Sequence, residues 1–170
     1  KVYDKVIASL PIVIKKIPKV RYLLAGEGND IRRIKKLISD LDLDDYVILT
    51  GFIPDEDIIS YYNLCDIFVM PSKQEGFGIV FLEALACGRP VIAGNQDASK
   101  EALLDGKIGI LVNPDDTNEI AQAIINILQE NVPRQLLDKD YLRQEVVEHF
   151  DFNKFSKKVK ILIDEIIPSR

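Results

Sequence analysis

The chain has 170 residues, of which 47% are hydrophobic and 29% are charged, and its formal net charge is −5. This length suffices for one domain with its own core, and the composition is typical of a globular protein. The negative charge argues against a nucleic-acid-binding protein, which needs a basic face, and no apolar run approaches the ~18 residues of a membrane span. The two cysteines, Cys65 and Cys87, form no metal-binding pair and are predicted to be buried thiols of a cytoplasmic protein.

Strand and helix patterns alternate along the chain. The first residues carry apolar side chains at helical spacing, from Val2 to Ile14. Short apolar runs predict five strands, at 20–26, 46–51, 66–71, 91–94 and 109–113. Helical patterns cover 29–41, 54–65, 79–87, 99–105 and 116–130, and two further helices fill 134–167. Apolar strands separated by helices predict an α/β fold: a Rossmann-like, doubly wound parallel sheet with helices on both faces and a helical C-terminal tail.

The order of these elements predicts that residues 1–170 form a single domain and a fragment of a longer protein. A doubly wound domain normally opens with a strand. This chain instead opens with a helix, and its single methionine, Met70, lies in the middle of the sequence. We therefore expect the domain's own first strand to lie upstream of Lys1.

The loop before the fourth predicted helix has the strongest functional pattern. Ligands of open α/β sheets bind outside the carboxyl ends of the strands, where this chain has the loops GEGND, GFIP and PSKQEGFG. In the last loop, Gly76 and Gly78 let a ligand approach the main chain, and a helix beginning near Ile79 favours phosphate at its N-terminus. Glu75 and Glu83 flank this turn. Carboxylates repel phosphate but accept hydrogen bonds from hydroxyls, so the segment predicts a diphosphate at the turn and sugar hydroxyls at the glutamates.

Spacing alone leaves other interpretations open. A glutamate in the first turn of a helix is a routine stabiliser of the helix dipole, and glycine-rich turns before helices are common. One alternative function is a non-catalytic regulatory or interaction domain of flavodoxin-like topology. Another is a dinucleotide-dependent oxidoreductase, but the required G-x-G-x-x-G motif is incomplete because GEGNDI has Ile31 at the third glycine.

The segment PSKQEGFGIVFLEALACGRPVIA resembles the hallmark of glycosyltransferase family 4, whose members are retaining enzymes of GT-B fold. That family has a Glu-x7-Glu motif, and Glu75 and Glu83 have its spacing. The resemblance extends through almost the whole chain, although Ala98 and Ser99 stand where the family usually has glycine. It implies that the chain is the C-terminal, donor-binding half of a GT-B enzyme.

The resemblance also implies roles for individual residues. Glu83 would bind the ribose hydroxyls of a nucleotide sugar, and Glu75 would act as a catalytic residue that holds the transferred sugar. Lys1 would be the lysine that neutralises the leaving diphosphate, although Val2 replaces the glycine that follows it in the family. The other donor-binding residues would be Gly26 and Gly28; Gly51, Phe52 and Ile53; and Gly76, Phe77, Gly78, Ile79 and Val80.

The same resemblance implies a reaction. The complete enzyme would be a hexosyltransferase that moves a sugar from a UDP-, GDP- or ADP-linked donor to an acceptor hydroxyl with retention, in glycan, polysaccharide or glycolipid synthesis. It would need no metal and no cofactor. Its acceptor domain would precede this chain, and membrane association would involve only that absent part. We therefore expect the isolated chain to bind the donor but to transfer little or no sugar.

Overall fold

The computed structural model describes residues 2–166. The α-helices in this range are α1 (Val2–Lys16), α2 (Ile31–Asp40), α3 (Ile58–Leu64), α4 (Ile79–Ala86), α5 (Ser99–Ala102), α6 (Thr117–Leu128), α7 (Lys139–Phe150) and α8 (Phe152–Ile166). The strands are β1 (Tyr22–Ala25), β2 (Val47–Gly51), β3 (Phe68–Met70), β4 (Val91–Gly94) and β5 (Ile110–Val112). Short 3₁₀ turns, Leu104–Gly106 and Arg134–Leu136, follow α5 and precede α7. The predicted alternation of strands and helices is confirmed.

The strands are parallel and form two sheets. β1 pairs with β2, and β4 lies between β3 and β5. In the larger sheet, Ile92 of β4 is aligned with Val69 on one side and Ile110 on the other. The predicted α/β class with parallel strands is confirmed. The expected single sheet is not formed, because no strand pairing within residues 2–166 joins β1 to β3.

Helix α1 covers both sheets and so joins their cores. Val6 and Val13 lie in a buried cluster with Ile92 of β4 and the apolar face of α6. Ile7 and Leu10 lie in a second cluster with β1 and α2. These α1 residues follow helical spacing and together cover one broad face of the helix. The two sheets therefore share a covering helix although their strands are not hydrogen-bonded to each other.

Helix α4 packs against helix α7 of the C-terminal tail. Phe81 of α4 and Leu142 of α7 are fully buried in one cluster. The rings of Phe77 and Phe150 pack edge to face with centroids 5.8 Å apart, an attractive arrangement for aromatic pairs. The tail predicted for 134–167 thus supports the loop and helix that carry Glu75 and Glu83.

Two helices differ from their predicted limits for local reasons. The helix predicted to begin at 54 begins at Ile58, because the N–H of Asp57 donates to the Pro54 carbonyl in a preceding turn. The helix predicted for 99–105 ends at Ala102, since Leu104 and Asp105 have φ values of 49° and 53°. Such left-handed residues do not continue a right-handed helix.

Helix α8 has no buried residue, and Phe152 and Phe155 are among its exposed apolar side chains. No helix within the described part of the chain is both long enough and apolar enough to cross a membrane.

Candidate functional site

The turn between β3 and α4 leaves backbone donors free at the start of a helix. Gly78 has a φ of 86°, in the left-handed region that favours glycine, and immediately precedes the helix. The N–H of Phe81 donates to the Gly78 carbonyl at 2.9 Å. No hydrogen bond within residues 2–166 uses the N–H groups of Ile79 and Val80. These two donors and the positive end of the helix dipole form a suitable environment for an anion.

Glu83 lies one turn into α4 and is held by a tyrosine of α3. The Tyr62 hydroxyl donates to Oε2 of Glu83 at 2.9 Å. Burial, together with the hydrogen bond to Glu83, raises the pKa of Tyr62, so the hydroxyl is protonated and remains a donor at neutral pH. Glu83 is otherwise exposed, and no hydrogen bond from the described residues reaches its Oε1. The carboxylate is therefore oriented on one oxygen and accessible on the other.

Glu75 is fixed through its backbone by the loop after β4. Its N–H donates to Oδ2 of Asp97 at 2.8 Å, and the N–H of Ser99 donates to Oδ1 of the same carboxylate at 3.0 Å. The Glu75 side chain is half-buried at the mouth of the turn. Asp97 therefore links the loop that follows β3 to the loop that follows β4.

The charge of Asp97 is stabilised by its surroundings. Partial burial raises the pKa of Asp97, but the nearby Ser99 hydroxyl and the N–H groups of Glu75 and Ser99 outweigh burial and bring the pKa below its ordinary value of 3.8. The Ser99 hydroxyl is buried beside this carboxylate without the full geometry of a hydrogen bond. Because folding lowers this pKa, the associated stabilisation is complete above the ordinary value and is lost as the pH falls through the lowered one.

The loop that follows β5 joins the same network. Gln96 donates from Nε2 to Oδ1 of Asn113 at 3.0 Å. Lys73, in the loop before α4, forms an ion pair with Asp115 at 2.5 Å. The loops after β3, β4 and β5 are thus connected to one another at the carboxyl ends of the strands of the larger sheet. Because Asp115 already partners Lys73, this lysine is a poorer candidate than the free α4 N–H groups for binding phosphate.

The smaller sheet carries an open groove at the carboxyl ends of its strands. Its volume is about 730 Å³. Gly26 and Gly51 are joined by an N–H···O bond of 2.9 Å, and both line the groove with Gly28 and Lys35. Residues 75–83 do not line it. The structure therefore groups Gly26, Gly28 and Gly51 at one place and the two glutamates at another.

The other predicted site residues have mixed positions. Phe52 is 70% exposed beside the groove, and Ile53 is half-buried. Phe77 packs its ring against Phe150, so its side chain supports α7 packing. Gly76 is exposed in the loop. Lys1 lies outside the described residues.

Metal-binding side chains do not cluster in the described structure. Within residues 2–166, no group of three or more His, Cys, Asp or Glu side chains is placed to hold an ion.

Three residues beyond the sequence-predicted set contribute to these sites. Asp97 lies in the loop that follows β4. The rule that ligands bind at strand carboxyl ends could therefore have identified it. Lys35 belongs to the basic run RRIKK, a pattern that predicts a solvated helix face. In the structure it lines the groove of the smaller sheet. Tyr62 has helical spacing that indicates core packing, and nothing local reveals its partner Glu83, 21 residues away.

Gly94→Ala is expected to disturb the site loop and to lower the free energy of unfolding by about 1–3 kcal/mol. A Cβ at Gly94, the last residue of β4, would collide with the backbone carbonyl of Ser72 in the loop before α4. Chemical denaturation of both proteins measures the loss. Gly28→Ala is the control, because a Cβ there meets nothing within 4 Å. Equal stability of Gly94→Ala and the wild-type chain would show that the loop is not fixed by this approach.

The sequence from residue 1 to 143 matches the family described as glycosyl transferases group 1. A relative from Mycolicibacterium smegmatis, named GDP-mannose-dependent alpha-(1-6)-phosphatidylinositol monomannoside mannosyltransferase, is 34% identical over 134 residues. The match covers 75% of this chain and 35% of the relative, so the chain spans about a third of that protein's length. The family match gives no support to a non-catalytic flavodoxin-like domain.

Solved structures show the same architecture. The C-terminal domain of a glycosyl transferase group 1 family protein from Francisella tularensis has a TM-score of 0.75 at 27% identity, covering 88% of this chain and 80% of that one. Anabaena HepE in complex with UDP has a TM-score of 0.81 at 24% identity, covering 95% and 44%. The chain therefore belongs to the group 1 glycosyltransferase family and has the fold of the C-terminal half of a GT-B protein.

Proposed function

We propose that this domain binds a nucleoside diphosphate sugar at the turn between β3 and α4, as the donor-binding half of a retaining hexosyltransferase of family 4. The observation that carries the proposal is the combination of free N–H groups at Ile79 and Val80 with two carboxylates on either side. Glu83 is held by Tyr62, and Glu75 is fixed at its backbone by Asp97. Family membership supports the same assignment.

The chemistry of the turn separates the parts of such a donor. A diphosphate is stabilised by backbone donors and by the positive end of α4. Glu75 and Glu83 would repel it but accept hydrogen bonds from hydroxyl groups, and charged acceptors make the stronger hydrogen bonds. Because Tyr62 occupies one oxygen of Glu83, the other oxygen is left for the ribose hydroxyls. Glu75 is then assigned to the transferred sugar, on the other side of the diphosphate.

The groove at Gly26 and Gly51 is the proposed place for the nucleobase. Glycines leave the main chain accessible to a flat ring, and backbone N–H and C=O groups can pair with any base edge. Exposed Phe52 adds an apolar surface nearby. The M. smegmatis relative is named for GDP-mannose and the Anabaena protein was solved with UDP. The titration that tests this proposal therefore includes UDP, GDP and ADP.

Within residues 2–166, β1 pairs only with β2 and β3 pairs only with β4, so each has one edge without a strand partner. These two edges support a further part of the proposal. One parallel strand between them, contributed by sequence outside residues 1–170 and leading into α1, would complete a continuous sheet. Its right-handed crossover to β1 would use α1, which already covers both sheets. The order of strands would then reverse beside β3, where open α/β sheets bind their ligands. The turn before α4 lies at that position.

Catalysis would require the rest of the enzyme. This half would position the donor and stabilise charge on the departing diphosphate, with Lys1 assigned to the diphosphate and Glu75 to the sugar. No metal or cofactor is assigned to the reaction. The acceptor would bind to an N-terminal domain outside this chain. Detectable sugar transfer by the isolated chain would contradict this division of roles.

Calorimetric titration of the chain tests the proposed function. UDP, GDP and ADP, each alone and as common sugar conjugates, are the ligands. Binding of one nucleotide series, with heat that saturates at one site per chain, is the expected result. Absence of heat with every ligand, repeated with the longer protein that includes the acceptor domain, would reject the donor site.

A further inference from the structure

Asp97 connects two loops at the proposed donor site. It follows β4, whereas Glu75 follows β3, and 22 residues separate them in sequence. Both carboxylate oxygens of Asp97 are used: Oδ2 accepts the N–H of Glu75, and Oδ1 accepts the N–H of Ser99. The second hydrogen bond fixes the carboxylate on its own loop, so the first can fix Glu75.

We propose that Asp97 is the positioning residue for Glu75, holding its backbone so that the carboxylate meets the transferred sugar. This inference rests on the proposed donor site. Glu75 directly precedes Gly76, and Gly78 follows two residues later, so its own loop is conformationally permissive. A tether from outside the loop therefore restricts where the Glu75 side chain begins.

An aspartate is well suited to accept the N–H groups of both Glu75 and Ser99. An aspartate supplies two acceptor oxygens, and hydrogen bonds to a charged acceptor are stronger than those between neutral groups. An asparagine has one acceptor oxygen and presents an NH₂ group on the other side. The NH₂ would face one of the two N–H donors. Asp97→Asn is therefore nearly unchanged in shape but retains at most one of the two hydrogen bonds.

The contact to Glu75 predicts a selective loss. Asp97→Asn is expected to reduce the affinity gained from the sugar, measured as the affinity ratio of the nucleotide sugar to the free nucleotide, by about tenfold. Binding of the free nucleoside diphosphate should change by less than about twofold, because Glu83, Ile79 and Val80 are not held by Asp97. Calorimetry with the same paired ligands gives both values. Asp97→Glu retains two acceptor oxygens and is expected to restore part of the ratio.

A ligand-free measurement accompanies the titration. Hydrogen–deuterium exchange of residues 72–78 should accelerate in Asp97→Asn, because the Glu75 amide loses its acceptor. Asp138→Asn is the matched control: Asp138 accepts the N–H groups of Asp140 and Tyr141 at the start of α7, and neither donor belongs to residues 72–78. That control is expected to leave exchange at 72–78 and the sugar affinity ratio unchanged.

Each result decides the inference. Unchanged exchange at 72–78 in Asp97→Asn would overturn it, whatever ligand binds. Faster exchange with an unchanged affinity ratio would overturn the role toward the sugar, as would equal losses for free nucleotide and sugar conjugate. If the wild-type chain and the longer protein bind no nucleotide, the donor site itself fails, and exchange then reports only whether Asp97 holds the loop. Faster exchange with a selective loss supports the inference.

Discussion

Glu83→Gln is expected to weaken nucleoside diphosphate binding by about tenfold, with the fold intact. The substitution removes the charge that strengthens hydrogen bonds from the ribose hydroxyls and replaces one acceptor oxygen by a donor. Glu83 is exposed on the surface of α4, so the change leaves the core untouched. Calorimetry with the nucleotide that binds the wild-type chain measures the loss.

Two variants define how specific that result is. Glu119→Gln changes an exposed glutamate in the first turn of α6, far in sequence from the turn before α4, and should bind as the wild-type chain does. Tyr62→Phe removes the hydroxyl that orients Glu83 and is expected to cost about threefold in affinity. Equal affinity of Glu83→Gln and the wild-type chain would exclude Glu83 from the nucleotide site.

Phe81→Ala is expected to lower the free energy of unfolding by about 3–5 kcal/mol. Phe81 is fully buried, and its ring packs edge to face against Phe68 of β3 with centroids 6.1 Å apart. Truncation leaves a cavity beneath the helix that carries Glu83, because the surrounding core collapses only partly. Urea denaturation followed by circular dichroism measures the loss.

The matched control is Phe152→Ala, which removes the same ring from α8, where the side chain is 75% exposed. Its expected effect is within about 0.5 kcal/mol. A loss below about 1 kcal/mol for Phe81→Ala would mean that α4 does not depend on this core contact. The site would then be positioned chiefly by its loops.

The positions of the strands were predictable from sequence because each is a short apolar run between turn residues. Their ends were less predictable. Strand β1 was predicted from Val20, but the N–H of Val20 donates to the Ile17 carbonyl, so that residue still belongs to a turn and the strand begins at Tyr22. The division into two sheets was not predictable either, because the apolar runs do not show which strands pair, and no pairing within residues 2–166 joins β1 to β3.

In the candidate site, too, features set by local sequence were predictable and contacts between distant elements were not. Glu75, Gly78 and Glu83 lie within nine residues, and local spacing places them around a helix start without knowledge of the rest of the fold. Tyr62 and Asp97 act on these residues from other elements, and their hydrogen bonds arise only after α3, β3 and β4 have packed. Tertiary contacts between side chains distant in sequence leave no periodic signal along the chain.

Binding of the donor at the turn before α4 is tested by following the backbone amide chemical shifts of the isotopically labelled chain during nucleotide titration. UDP, GDP and ADP are added in turn. The nucleotide that binds is expected to produce its largest shifts at Gly78, Ile79 and Val80, with further changes at Gly26 and Gly51. Saturable binding with shifts confined to other regions, such as α7 and α8, would contradict the assignment of the donor to the turn before α4.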